Sequence, residues 1–385
     1  MGAWSLDPSW VFLNHGSFGA RLHSLREHQR AWQDRLDAQP LRFFLDTYRP
    51  ALAASRWAVA EFLGGQAEDL VLVPNATYGV NSVLAHIELA EGDEVLVLDQ
   101  AYGACRGALD IAAERAGARV VEVALPLPCP GPDAVLDALL AEVGPKTRLA
   151  MVDAVTSPTA MILPVECIVE ALRDRGVETI VDAAHSPGFT PINLDVLGAA
   201  YTTGNLHKWI CAPLGAAFLH VRKDKRDGVL PASLSHGARP GLPERFSEGF
   251  DWTGTFDPSA WLSIPYAIEA LGDQHADGIP GLMARNRALA RRGAELLEAE
   301  LALKPICPPS MRGAMAAMIL PMPPGPPRHH LGTDPLQRRL IDEHRIEVPV
   351  LTFAGRRLLR ISAQAYNTIE DYRCLANALK SILRD

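Results

Sequence analysis

Short, continuous apolar runs alternate with helical stretches through the first two-thirds of the chain, and that spacing limits the folds open to it. The runs at 70–73, 94–98, 120–123, 149–152, 179–181 and 216–219 are strand-like. Helical patterns at 102–116, 133–143 and 165–175 separate them, and Asn75-Ala76-Thr77 opens another that continues through Val83-Leu84. Strands this uniformly apolar are buried on both faces, as in a mostly parallel sheet covered by helices. Ligands of such sheets sit beyond the carboxyl ends of the strands. Asn75, Tyr102 and Asp182 all lie just past such ends.

The flanking segments read differently. Residues 21–36 and 47–63 are expected to be helices, the second ended by Gly64-Gly65, with Leu41-Arg42-Phe43-Phe44 a loop between them. Arg42 reads as a salt-bridged surface residue or as part of a substrate entrance. Residues 228–258, rich in Gly, Pro and aromatics, read as one long loop, and loops of that length are usually functional. Residues 262–301 are mainly helical, punctuated by Pro265 and Pro280. A strand at 315–320, a Pro-rich loop at 321–327, a helix at 335–344, strand-like pieces at 348–350 and 358–362 and an amphipathic helix at 368–383 form a separate α+β tail.

With 385 residues, 48% of them hydrophobic, the chain has enough core for one large domain and a smaller one. Its formal net charge of -8 argues against a nucleic-acid binder. The six cysteines form no CxxC pair, so neither a metal site nor a redox dithiol is expected. No secretory leader pattern opens the chain and no apolar run reaches the length of a membrane span, which with the scattered cysteines points to the cytoplasm.

The chemistry centres on Tyr201-Thr202-Thr203-Gly204-Asn205-Leu206-His207-Lys208-Trp209-Ile210. Burying an ammonium among such neighbours is costly unless it is paired or neutralised. A lysine so placed has a lowered pKa and can condense with a carbonyl compound as a Schiff base; a strand-end lysine facing solvent is the competing reading. A carbonyl cofactor on Lys208 would need an anion cradle, a carboxylate at a ring nitrogen and a flat group against the ring. Asp182 in Asp182-Ala183-Ala184-His185 supplies a carboxylate at a strand end. Asn75-Ala76-Thr77 supplies a helix N-terminus, which suits a phosphate or simply caps the helix. Tyr102 is the candidate for the stacking ring.

These motifs, together with Leu13-Asn14-His15-Gly16-Ser17-Phe18-Gly19, Trp252-Thr253-Gly254-Thr255 and Arg360-Ile361-Ser362, resemble the class V aminotransferases, and within them the isopenicillin N epimerase-like group. The likeness spans nearly the whole chain. It implies the fold-type I architecture of pyridoxal-phosphate enzymes, a three-layer α/β/α large domain (46–260) with a smaller α+β domain (261–385). Residues 1–45 would pack on the small domain and the substrate pocket. It implies that Lys208 carries pyridoxal 5′-phosphate, that Asp182 pairs with the ring nitrogen, and that His185 contacts the phenolic oxygen. Asn75, Ala76, Thr77, Asn205 and His207 would surround the phosphate. Thr255 would reach the phosphate of a second subunit, making a homodimer with shared sites. Asn14 would line the substrate pocket, and Arg360 would clamp the carboxylate of an amino-acid substrate.

Cysteine desulfurases carry a reactive cysteine shortly before the arginine segment, whereas residues 347–355 contain none, which argues against persulfide chemistry by that route. Many relatives have glycine where Ala183 follows the aspartate. Three outcomes stay open after proton loss at the amino acid's Cα: epimerisation, transamination, or loss of a β-substituent by a carbon–sulfur lyase. A cofactor-binding sensor without turnover is the non-enzymatic alternative, but sensors of this kind usually carry an N-terminal DNA-binding domain, for which the first 45 residues are too short.

Overall fold

The computed structural model describes residues 2–242, 245–322 and 334–383. Its strands, in chain order, are β1 (Val11–Phe12), β2 (Leu70–Val73), β3 (Glu94–Leu98), β4 (Arg119–Val123), β5 (Thr147–Asp153), β6 (Glu178–Asp182), β7 (Tyr201–Asn205), β8 (Ala217–Val221), β9 (Lys304–Pro305), β10 (Met315–Leu320), β11 (Ile346–Glu347), β12 (Val350–Phe353) and β13 (Arg356–Ser362). Strands β2 to β8 form one sheet in the order β2-β8-β7-β6-β5-β3-β4. Only β8 runs against its neighbours. Strands β2, β7 and β8 are buried along their whole length and β5 at every residue but Arg148, as continuous apolar runs demand.

Helices between successive parallel strands return the chain to the same edge, so the ends of β2, β3, β5, β6 and β7 open on one rim. The helix Ala76–Leu84 leaves β2 through Asn75, whose side chain accepts the Tyr78 amide at 2.8 Å. Close packing below the rim depends on missing side chains. A Cβ on Gly79 would lie 2.3 Å from Thr203 Oγ1, so this helix rests directly on β7. A Cβ on Gly204 would lie 2.6 Å from the Phe218 ring and 2.8 Å from the Ala183 carbonyl.

The C-terminal part is built on an antiparallel sheet, β12-β13-β10-β9, covered by the helices Gly278–Leu301 and Ile369–Ile382. The second of these starts at a capping box of Thr368 and Asp371. The N-terminal segment joins this part through β1, which pairs with β11.

Two sequence readings are corrected. Residues 41–44 are helical: Pro40–Arg42 runs into a π-helical turn, Phe43–Thr47, and on into Tyr48–Leu63. The Phe43 and Phe44 rings are drawn inward against Trp32, Tyr48 and Trp252, while Arg42 stays at the surface beside Asp46. The span 228–258 is no continuous loop, because Arg245–Asp251 forms a helix whose Phe246 and Phe250 join the core against β2. The part of the Pro-rich segment at 323–327 lies outside the described residues.

Gly204→Ala should destabilise the protein by about 1–3 kcal/mol, the usual range for overpacking a filled core. A urea midpoint that falls with an unchanged slope would show this; an unchanged midpoint would mean the sheet yields at that point.

Candidate active site

The rim opens on a cavity of about 490 Å³ lined by Ser17, Phe18, Asn75, Ala76, Thr77, Tyr102, Asp153, Ser157, Asp182, His185, Asn205, His207, Lys208 and Arg360, among others. Ten of the twelve positions singled out in the sequence therefore meet on one wall system. Two do not. Thr255 is exposed and lies outside the cavity of its own chain. Asn14 is half-buried behind the wall, where its side chain donates to Glu347 and accepts from Ser17.

Lys208 sits in the turn after β7 with its amine 3.3 Å from His185 Nε2. Burial lowers its pKa from 10.5 to about 8, Asp182 pulls the other way, and Arg360 adds to the lowering. His185 is also buried and held well below its usual pKa by desolvation and by Lys208, so the ring is neutral. Its tautomer follows from its other neighbour. The Trp209 indole N–H can only donate, and it meets His185 Nδ1 at 3.3 Å. The hydrogen therefore resides on Nε2, which points a donor into the cavity.

His15 braces the same turn from behind. Its Nε2 lies 3.0 Å from the Lys208 carbonyl and its Nδ1 2.9 Å from the Tyr366 hydroxyl. The carbonyl can only accept, so His15 Nε2 donates to it and Tyr366 donates to Nδ1. Burial drives the His15 pKa to about 3, which keeps this arrangement uncharged. Gly19, at φ 75°, passes so close that a Cβ there would lie 2.2 Å from the His207 carbonyl.

At one end of the cavity Asp182 accepts the Ala184 amide at 2.9 Å and the Cys105 thiol at 3.5 Å. At another, the Ala76 amide donates to Asn205 Oδ1 at 2.9 Å. Asn75 takes the Tyr78 amide, and among the described residues the Thr77 amide in this first turn has no protein acceptor. His207 donates Nδ1–H to the Ala216 carbonyl, and burial lowers its pKa to about 4. A phosphate beside it would draw a proton onto the free nitrogen.

The remaining wall carries Arg360. Its guanidinium is buried, donating to the Ser157 carbonyl and, at 3.2 Å, to Ser17 Oγ. Burial lowers its pKa to about 10. Among the described residues no carboxylate pairs with it, although the other buried arginines, Arg312 and Arg357, each have one, Glu298 and Asp334. An uncompensated buried cation is expensive, and a ligand carboxylate removes the cost.

A carboxylate, a free helix-start amide and a depressed-pKa amine in one enclosure fit pyridoxal phosphate by the chemistry of their donors. The sequence reading missed Ser17 and Ser157, which orient Arg360, and Cys105 and Asp153, which flank Asp182. Asp153 had a signal: it ends β5 as Asp182 ends β6.

The Lys208 shift makes a pH prediction for the cofactor-free protein. The folded pKa is depressed, so the unfolded chain binds more protons between about pH 8 and 10.5, and stability rises with pH through that window. Below it, Lys208→Met should be more stable than wild type by on the order of 3 kcal/mol. The gap should close as the pH approaches 10.5, measured by urea unfolding across pH. A gap independent of pH would mean the amine is not desolvated.

The aminotransferase class-V pattern matches residues 47–297. Isopenicillin N epimerase from Amycolatopsis lactamdurans is 35% identical, covering 98% of this chain and 96% of its own. A probable chloroplastic L-cysteine desulfhydrase from Arabidopsis thaliana is 32% identical, covering 98% and 84%. Among solved structures, the cystine C–S lyase C-DES in complex with cysteine persulfide superposes with a TM-score of 0.80 at 20% identity, covering 97% of each chain. The chain belongs to the aminotransferase class V family of fold-type I pyridoxal-phosphate enzymes.

Proposed function

We propose that the protein labilises the Cα–H bond of an α-amino acid, in the manner of the epimerase-like group, with pyridoxal 5′-phosphate attached to Lys208. The observation that carries this reading is a buried Arg360 with no carboxylate partner among the described residues, in the same cavity as an amine with a pKa of about 8. Arg360 binds the substrate carboxylate, held in place by Ser17 and Ser157. Lys208, as a free amine, would take the Cα proton; a base with a pKa of about 8 is well matched to neutral solution. When bound, the cofactor supplies the sink for the electron pair left behind. Asp182 would hold its ring nitrogen, His185 would offer Nε2–H to its phenolic oxygen, and Tyr102 would stack on the ring. Asn75, Ala76, Thr77, Asn205 and His207 would hold its phosphate.

A second reading, β-elimination from a cysteine derivative, draws support from the cavity's single amine base. Two-base epimerisation needs an acid opposite Lys208, and Tyr102 is the lining residue left for that task. The similarity to desulfhydrases is in the same direction. Incubation with an amino-acid panel in deuterated water separates the outcomes by inversion with Cα exchange, acceptor-dependent keto-acid formation, or release of sulfide and pyruvate. The purified protein should be yellow, and Lys208→Ala should lose a borohydride-fixable link to the cofactor. A wild type left colourless by added cofactor would sink the reading.

We further infer a cytoplasmic homodimer with domains at 46–260 and 261–385 and residues 1–45 packed against the substrate side. No helix among the described residues is long and apolar enough to cross a membrane. Thr255, exposed and remote from its own cavity, is then available to the partner's phosphate. Mixing Thr255→Ala with Lys208→Ala subunits should restore part of the activity; no regain after verified exchange would count against shared sites.

A further inference from the structure

Asp182 does not stand alone. Asp153 closes β5 as Asp182 closes β6, and the two are register partners on adjacent parallel strands, so their side chains leave the same face of the sheet. Both are buried, and both line the cavity. Two carboxyls so close in a poorly solvated place cannot both be ionised.

Their surroundings decide which keeps the proton. Burial raises the Asp182 pKa, but the Ala184 amide, Lys208 and the Cys105 thiol all favour its ionised form. Asp153 faces the Tyr102 amide, its own amide, the Asp182 carboxylate and, more weakly, the Lys208 amine. Burial and the Asp182 charge push it well above the ordinary carboxylate range.

We propose that Asp153 is a positioning residue: a protonated carboxyl beside Asp182 that leaves the pair with one negative charge, carried by Asp182 toward the cofactor's ring nitrogen. The proposal rests on the cofactor reading of this cavity. It gives the pair the single charge that one protonated ring nitrogen would match.

The test begins without cofactor. The wild-type protein at neutral pH should show the infrared C=O band of a protonated carboxylic acid, and Asp153→Asn should remove it. Absence of that band overturns the proposal whatever the cofactor does. Cofactor affinity and its absorption spectrum against pH are then measured on three variants. Asp153→Asn, isosteric with the neutral acid, should fold and keep the dissociation constant within about threefold and the spectrum unchanged, since a neutral donor replaces a neutral donor. Asp153→Ala, which leaves the Tyr102 amide unpaired, should weaken binding about tenfold. Asp182→Asn should weaken it further and change the spectrum.

An Asp153→Asn variant that loses affinity as severely as Asp182→Asn, or that fails to fold, would show that Asp153 carries the charge and would overturn the proposal. So would Asp153→Ala behaving as wild type. A protein that shows the infrared band but binds no cofactor would instead remove the cofactor reading, and the role of Asp153 with it.

Discussion

Keeping the Lys208 amine out of water is the constraint on which the rest of the site depends. An ammonium there loses hydration that nothing apolar can replace, and the structure answers by surrounding it with rigid neutral partners. Trp209 points its indole N–H at His185 Nδ1, which fixes that ring with Nε2 beside the Lys208 amine. His15 fixes the backbone of the lysine itself, and the Trp209 ring packs against both His15 and Phe189. Every one of these partners is buried, and the histidines are held uncharged by that burial. Burial lowers the pKa of the amine, Asp182 opposes that, and Arg360 adds to it.

The same enclosure explains why the ligand-free cavity is electrostatically unfinished. Arg360 contributes a second buried cation that lowers the Lys208 pKa, and the acidic pair Asp182 and Asp153 closes two adjacent strands on the same rim. On the proposed reading, a zwitterionic amino acid and a phosphorylated carbonyl compound would bring negative groups to the cationic side, and a protonated ring nitrogen would meet the acidic side. Ligand binding thus relieves costs the fold already carries.

Much of the fold was legible because parallel strands buried on both faces leave a plain pattern, and strand ends are where ligands bind. That argument alone located Asn75, Tyr102 and Asp182. It failed where the pattern carries no information. The run at 216–219 reads the same whether β8 is parallel or antiparallel. The helix Arg245–Asp251 is short and contains Gly249, so only the Phe246 and Phe250 spacing marks it. Asp153 follows the run 149–152 as Asp182 follows 179–181, so the same strand-end rule reaches it, but no motif drew attention to it. Ser157 holds Arg360 through a main-chain carbonyl, which no residue type announces. Arg360 and Asn14 came from resemblance rather than pattern, and the two fared differently: Arg360 reaches the cavity, while Asn14 acts on it through Ser17.

On the reading proposed for this site, the product depends on the substrate as much as on the protein. Lys208 performs the same proton removal for every bound amino acid. A good leaving group at Cβ then departs without further help, because the electron pair is already stored next to that bond. Without one, the proton must return, and the face to which it returns depends on a donor opposite Lys208. Ser17 is already committed to Arg360 and Asn14, and Tyr102 is 48% exposed, with its ring open to solvent. A cavity built this way needs little change to serve either an epimerase or a desulfhydrase. That accounts in physical terms for relatives with both names lying almost equally near this chain, at 35% and 32% identity.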